Sequence, residues 1–521
     1  MHDKTLIELG LEERTDAVVS NQNLERQTAN EAPKSLPKGT KVTTIFDQLG
    51  EGGILLILGE PGAGKTTALL ELARDLLNRA EQGLDYRIPV VFNLSSWTGE
   101  ERTIGHWLVG ELHSKYQVPQ PIGSDWVEKQ ELLLLLDGLN EVKAEWRESC
   151  AAALNDFNRQ YAPEMVVCSR TQDYSHLSPR FECGRAIGLK SLTLEQVIDS
   201  LNRNDTDFTE LKMLIKEDRT LQKLAESPLM LNIMLLAYEG VSIKNLSETE
   251  VVEERRKQLF DAYIERMLCR PTRLKIKQSY SATQTKDWLT WLAGKMLQES
   301  QTLFLIERMQ LTELREKNQR ILCRLLIFLM SLLLSWPIGG IIAEVTFGFS
   351  ADLGDLLIAW LFYGLIYGLS CGLLSVFLTQ NEIGQTLLTW KWYWQEATNG
   401  RRRLILASLV GVVLFYGRGL NSIVELIVLL SCVLNMVLIL GGGKISIQHF
   451  ALRLILYGNG DVPWNYAHFL DYAAERIFLQ KVGSGYIFIH RLLLEYFAQL
   501  SRARAASFER KQSSSELPPR P

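Results

Sequence analysis

Gly59-Glu60-Pro61-Gly62-Ala63-Gly64-Lys65-Thr66-Thr67 gathers glycines, a lysine and two hydroxyls into one short stretch. An apolar run, Ile54 to Leu58, precedes it, and a helical run, Ala68 to Leu77, follows. Residues of these types at this spacing bind phosphate. The glycines let the backbone curl until its N–H groups converge on phosphate oxygens. Lys65 supplies a point charge with the reach of β- and γ-phosphates, and the Thr66 hydroxyl is a ligand for Mg²⁺. The N-terminus of the following helix favours the same anion. Gly59 to Thr67 are therefore the candidate contacts of a nucleoside triphosphate.

A second set of groups supports the first. Five leucines, Leu132 to Leu136, run into Asp137-Gly138-Leu139-Asn140-Glu141. Such a run predicts a strand buried on both faces of a parallel sheet. A carboxylate at its C-terminal end stands where ligands collect in these sheets. Asp137 is thus the second candidate for Mg²⁺, and Glu141 the candidate base that polarises an attacking water. Further strands are predicted at Ile88 to Phe92, Glu164 to Cys168 and Arg185 to Leu189, with helical stretches between them. Alternation of this kind predicts right-handed βαβ units. Arg170, just beyond the fourth strand, then faces the crevice that holds Asp137. It reads either as a sensor of the terminal phosphate or as a surface arginine in a loop.

The stretches GEPGAGKTT, LLLLLDGLNEV and VVCSRTQ, in this order, resemble a NACHT-type NTPase of the STAND class. That resemblance covers roughly residues 38 to 270 and 460 to 500. It implies an α/β P-loop NTPase with a parallel sheet, followed by helical and winged-helix domains. It implies ATP and ADP as ligands with Mg²⁺, slow hydrolysis, self-assembly on activation, and a role in signalling or bacterial defence. Ser227-Pro228-Leu229-Met230-Leu231 resembles the segment whose proline, Pro228 here, lies beside the adenine base. Phe488 to Ala498 resembles the stretch F-x-H-x-x-x-x-E-Y-x-A, whose histidine, His490 here, touches the β-phosphate of ADP in resting members. The spacing of Leu492, Leu493, Tyr496 and Phe497 equally fits a histidine on a buried amphipathic helix. Asn140 stands where many relatives carry an aspartate, which implies one charge fewer near the metal.

Between the two matching blocks the composition changes. Leu325 to Ala343, Leu356 to Asn381, Leu404 to Gly417 and Leu426 to Gly443 are free of charge, the last two separated by a loop carrying Arg418. A bilayer core needs about 20 apolar residues in a helix, so these runs predict about four membrane-spanning helices inserted in the winged-helix domain. Arg315, Lys317, Arg320 and Arg324 before the first run, and Arg401-Arg402-Arg403 after the second, orient both ends toward the cytoplasm. The expectation is a multi-pass protein of the bacterial inner membrane, with the lipid bilayer as a partner.

The expected organisation is a polar lead-in (1–45), the NACHT P-loop domain (46–190) and a small helical domain (191–242). A first winged-helix part (243–320), the transmembrane insert (321–443), a second winged-helix part (444–505) and a disordered tail (506–521) complete it. The chain has 521 residues and a net charge of −4, which gives no nucleic-acid-binding surface. Its seven cysteines form no C-x-x-C pair, which argues against a zinc site. Two other readings stay open on sequence: a membrane ATPase with continuous turnover, and an inert scaffold with a degenerate nucleotide site. The trigger is not legible.

Overall fold

The computed structural model describes residues 9–18, 33–203, 206–240, 251–270, 280–347 and 442–515 with short breaks, and scattered positions between 358 and 373. Its N-terminal half is built on one sheet of β1 (Leu11–Glu13), β2 (Lys34–Ser35), β3 (Ile54–Leu58), β4 (Ile88–Asn93), β5 (Leu132–Asp137), β6 (Met165–Ser169) and β7 (Arg185–Leu189). Their order is β2-β1-β7-β3-β6-β5-β4. β3 lies parallel to β6 and β7, and β5 parallel to β4 and β6. β1 runs antiparallel to β7 and to β2. The stretch expected as a polar lead-in therefore contributes two strands, of which β2 forms one edge of the sheet.

The leucine run shows why a central strand must be apolar on both faces. Leu132, Leu134 and Leu136 pack with Trp107, Leu108 and Leu154 on one side of the sheet. Leu133 and Leu135 pack with Leu69 and Leu72 of the helix Lys65–Glu81 on the other. Each such burial contributes about 2 kcal/mol, so a polar substitution on either face would cost stability. Caps fix where the next helices start. The Thr193 side chain accepts from the Gln196 N–H, while the Gln196 side chain accepts from the Thr193 N–H. Ser281 and Gln284 repeat this box at the helix Ala282–Gln298.

The C-terminal half is helical around a two-stranded hairpin, Leu479–Val482 with Gly485–Phe488. Trp288, Trp291 and Leu292 share one core with Phe478 and Leu479, and Ile477 packs against it. Segments on either side of the apolar region thus fold together. The Trp288 indole N–H donates to the Gly460 carbonyl at 3.0 Å, tying the helix Ala282–Gln298 to the turn after Gly442–Gly458.

The expected transmembrane insert and inner-membrane placement are corrected here. Among the described residues, no helix is long and apolar enough to cross a membrane. The first apolar run belongs to the helix Lys317–Phe347, whose Cys323 and Ile327 are buried in the core of the helical half. Packing against protein makes the same demand for apolar side chains as lipid does, and a charge-free run does not distinguish them. The runs 404–417 and 426–443, and most of 356–381, lie outside the described residues, as does the basic triplet 401–403.

Candidate functional site

The phosphate loop follows directly from β3, whose five residues are all buried. Gly62 and Gly64 have φ of +78° and +96°, in the left-handed region that disfavours a side chain. A Cβ on Gly62 would also meet Ser227 Oγ at 2.7 Å and Leu229 Cβ at 2.9 Å. The closeness has a cause: the Ser227 hydroxyl and the Leu229 N–H both donate to the Gly62 carbonyl, each at 3.3 Å. Pro228 sits between these two contacts, so its segment rests on the phosphate loop itself. Leu9 approaches from the N-terminal side, 3.0 Å from where a Gly64 Cβ would stand.

Lys65 Nζ donates to the carbonyls of Gly59 and Glu60 at 2.8 and 3.0 Å, which holds it over the loop. Burial lowers its pKa from the ordinary lysine value. The Thr66 hydroxyl donates to Asp137 Oδ2 at 2.7 Å, bringing together the two candidate Mg²⁺ ligands from 71 residues apart. This donor set of one hydroxyl and one carboxylate at the end of a phosphate loop fits a hard cation that keeps most of its waters. Burial, with the nearby Glu141 charge, pushes the Asp137 carboxyl up to about 6. Glu60, Thr66 and Thr67 are exposed, and Pro61 and Pro228 half-buried. Ala63 is buried under the loop.

Glu141 turns back over Gly138, whose φ is +80°. A Cβ on Gly138 would meet the Glu141 carboxyl carbon at 3.0 Å, so glycine is required there. Two groups hold the Glu141 carboxylate: Asn93 Nδ2 donates to Oε2 at 3.4 Å, and Arg491 Nη1 lies 3.7 Å from the same oxygen. Arg491 Nε also donates to Glu495 Oε1 at 3.3 Å, and that oxygen accepts from Arg170 Nη2 at 3.3 Å. Glu141, Arg491, Glu495 and Arg170 thus form a chain of alternating charge. It runs from one strand end, through the C-terminal helix Arg491–Ser515, to the next strand end.

His490 immediately precedes that helix. Its carbonyl accepts from the N–H groups of Leu493 and Leu494. Burial lowers the imidazole to about 4, so the ring is neutral at pH 7. Among the described residues it makes no hydrogen bond to the phosphate loop. Its neighbour Arg491 is the residue that reaches Glu141.

Asn140 differs most from its sequence reading. Its side-chain oxygen accepts from the Arg170 N–H at 3.0 Å, so it is engaged with the exit of β6 and not with the Thr66–Asp137 pair. Arg147 adds a second tie, donating to the carbonyls of Asn140 and Val142 at 2.9 and 3.3 Å and to Asp173 at 2.7 Å. Asn93, Arg147, Arg491 and Glu495 carried no role in the sequence reading. Asn93 was findable, since it closes β4 in register with Asp137. Glu495 was the fixed acid of the C-terminal motif.

Residues 54–206 match the NACHT domain family. No curated protein matches the chain. Among solved structures, it is similar to the Aeropyrum pernix ORC1 protein in complex with DNA, at 15% identity and a TM-score of 0.30. That match covers 50% of this chain and 72% of the other. The Aeropyrum pernix ORC2 protein in its ADPNP–ADP complexes matches at 14% identity and a TM-score of 0.27, over 50% of this chain and 74% of its own. A STAND protein with a tetratricopeptide repeat sensor from Pyrococcus horikoshii matches at 14% identity and a TM-score of 0.27. There the alignment covers 84% of this chain but 63% of the relative, so the chain spans less than two thirds of that protein. Values this low assign no function to the chain.

Proposed function

We propose that this chain is an ATP-dependent signalling switch with slow hydrolysis, whose C-terminal helical half holds the hydrolytic edge of the P-loop domain shut. The supporting observation is the alternating chain Glu141–Arg491–Glu495–Arg170. It occupies the candidate base and the candidate phosphate sensor together, using two residues one helical turn apart on a different half of the protein. In the closed form, with ADP, Lys65 and the loop N–H groups hold the phosphates. Mg²⁺, when bound by Thr66 and Asp137, neutralises phosphate charge. A γ-phosphate competes with Glu495 for Arg170, and its arrival favours the form in which the C-terminal helix has moved away. Glu141, once free of Arg491, takes a proton from the attacking water as its oxygen bonds the γ-phosphorus and ADP leaves. The open form exposes surface for self-assembly, and signalling, including defence, is its output.

The test is turnover and ADP release in Arg491→Ala and Glu495→Ala, read with a fluorescent ADP analogue. Faster release and higher turnover in both support the switch. Wild-type rates in both would leave an ordinary NTPase with no control from its C-terminal half.

A further inference from the structure

We propose that Asn140 is a positioning residue for Arg170, holding it at the mouth of the crevice between β5 and β6. The inference rests on the reading of Arg170 as the phosphate sensor.

The register of the sheet supplies the argument. β5 and β6 pair at Leu134 with Met165, Leu135 with Val166 and Leu136 with Val167, and no further. β6 continues against β3 for two more pairs, Ile57 with Cys168 and Leu58 with Ser169. On its β5 side, the ladder has therefore ended before Arg170 is reached. The ends of the two strands separate where ligands bind in such sheets, and the Arg170 N–H loses a backbone partner across the gap. The Asn140 side-chain oxygen supplies one at 3.0 Å. The Arg170 backbone is extended there, with φ of −74° and ψ of 141°, and its carbonyl receives the Tyr174 N–H of the next helix. Arg170 is thus held at its N–H by β5's loop and at its carbonyl by its own helix. Those two bonds set the direction in which its guanidinium leaves the backbone.

Asn140 is itself held. Arg147 grips its carbonyl at 2.9 Å and spans to Asp173, on the helix that starts one residue after Arg170. The side chain that carries the bond therefore moves with both loops, as a rigid spacer between Glu141 and Arg170. What the site needs from residue 140 is an acceptor at a fixed place, and an aspartate would supply it equally. This bond does not require a charge at residue 140, so the asparagine does not disable the site.

The experiment uses the full chain and compares Asn140→Ala, Asn140→Asp and Arg170→Ala. Turnover, KM for ATP and the ratio of ADP to ATP affinity are measured with Mg²⁺ present. Asn140→Ala is expected to lower kcat about tenfold, because a misplaced group at a reacting centre costs at least that. It should shift the affinity ratio in the direction of Arg170→Ala, with ADP affinity kept, which also shows that the loop is folded. Asn140→Asp should keep kcat within about threefold of wild type, since the acceptor is retained. The proposal is overturned if Asn140→Ala matches wild type while Arg170→Ala does not, or if Asn140→Asp falls as far as Asn140→Ala. A loss of ADP affinity in Asn140→Ala overturns it too, since the residue would then hold the fold rather than Arg170. If Arg170→Ala changes nothing, the sensor reading fails first, and the two failures are told apart by that variant.

Discussion

Arg491 and Glu141 face each other across the boundary between the two halves of the protein, Nη1 to Oε2 at 3.7 Å. Glu141 is 17% exposed and Arg491 24%, so the pair is neither deeply buried nor freely solvated. An ion pair of this kind contributes about 0–1 kcal/mol. That is small for a fold and large for a switch, where a shift of about 1.4 kcal/mol changes a population tenfold. Arg491→Ala should therefore raise turnover by about two- to fivefold. Because Glu495 bridges Arg491 and Arg170, Glu495→Ala should add little to it. Strict additivity in the double variant, measured as turnover, would mean that the four charges do not act as one chain.

Lys65→Ala should lower ATP affinity by at least about tenfold, or 1.4 kcal/mol. Among the described residues its amine bonds to carbonyls of its own loop, Gly59 and Glu60, so the substitution breaks no ion pair, although it removes a charge that favours the Asp137 carboxylate. Titration with a fluorescent ATP analogue checks this, and a thermal melt should be unaltered within a few degrees. Unchanged affinity would remove the phosphate role of this loop.

Glu141→Gln keeps the size of the side chain and its contact with Asn93, and loses the base. ATP should bind with wild-type affinity and persist, with single-turnover hydrolysis slowed at least about a hundredfold. Turnover equal to wild type would point to a different carboxylate. The substitution also removes the charge that faces Arg491, so ADP release should quicken while hydrolysis stops. That opposite movement of two rates distinguishes a residue in both the chemistry and the latch from one in the chemistry alone.

The sheet was legible because its signals are local. A phosphate loop after an apolar strand and five leucines before an acid each specify strand, turn and helix within about ten residues. The short strands β1 and β2 were not legible, since the three residues Leu11-Glu12-Glu13 become a strand by pairing with β7 and β2. Asn140 read as a missing charge because sequence gives residue type and not direction. Its oxygen faces Arg170, 30 positions on, and only the strand register brings the two together. The first apolar run misled for a related reason. Hydropathy states that a helix must be covered and not by what; in the helix Lys317–Phe347, Ile327 is covered by the protein's own core while Leu325, Leu329 and Leu333 are exposed.

Asp137 gives a pH dependence to metal binding. Its carboxyl is pushed up to about 6, by burial first and by the Glu141 charge second. Mg²⁺ requires the carboxylate, so binding must expel a proton wherever the group is protonated. The gain in ATP affinity from Mg²⁺ should therefore be full near pH 7.5 and fall as pH drops through about 6. Calorimetry at pH 6 in two buffers of different ionisation enthalpy should detect proton release, and Asp137→Asn should abolish it. No release in wild type would mean that Asp137 is ionised before the metal arrives.

His490 separates its two readings, nucleotide latch and core histidine, through proton linkage. Burial lowers its pKa from 6.5 to about 4, so between these values the unfolded chain holds a proton that the folded chain lacks. Stability from this residue is therefore complete above about pH 6.5 and is lost as pH falls toward 4. Asp137, with its raised pKa, acts in the opposite sense, its contribution falling as pH rises from 3.8 to about 6. The useful quantity is thus the difference between wild type and His490→Gln, in which Asp137 cancels. Without nucleotide, melts from pH 4.5 to 7.5 should show wild type gaining on His490→Gln up to about pH 6.5, then running parallel. A constant difference would show that the ring is not held neutral by burial. Adding ADP then decides between the readings. A phosphate against the ring favours the imidazolium and restores its pKa, so a latch makes the pH dependence of the difference shrink and makes ADP bind more tightly at lower pH. A core histidine keeps the same dependence with ADP as without it, and in that outcome Arg491, one residue on, is the contact through which the C-terminal half reaches the nucleotide domain.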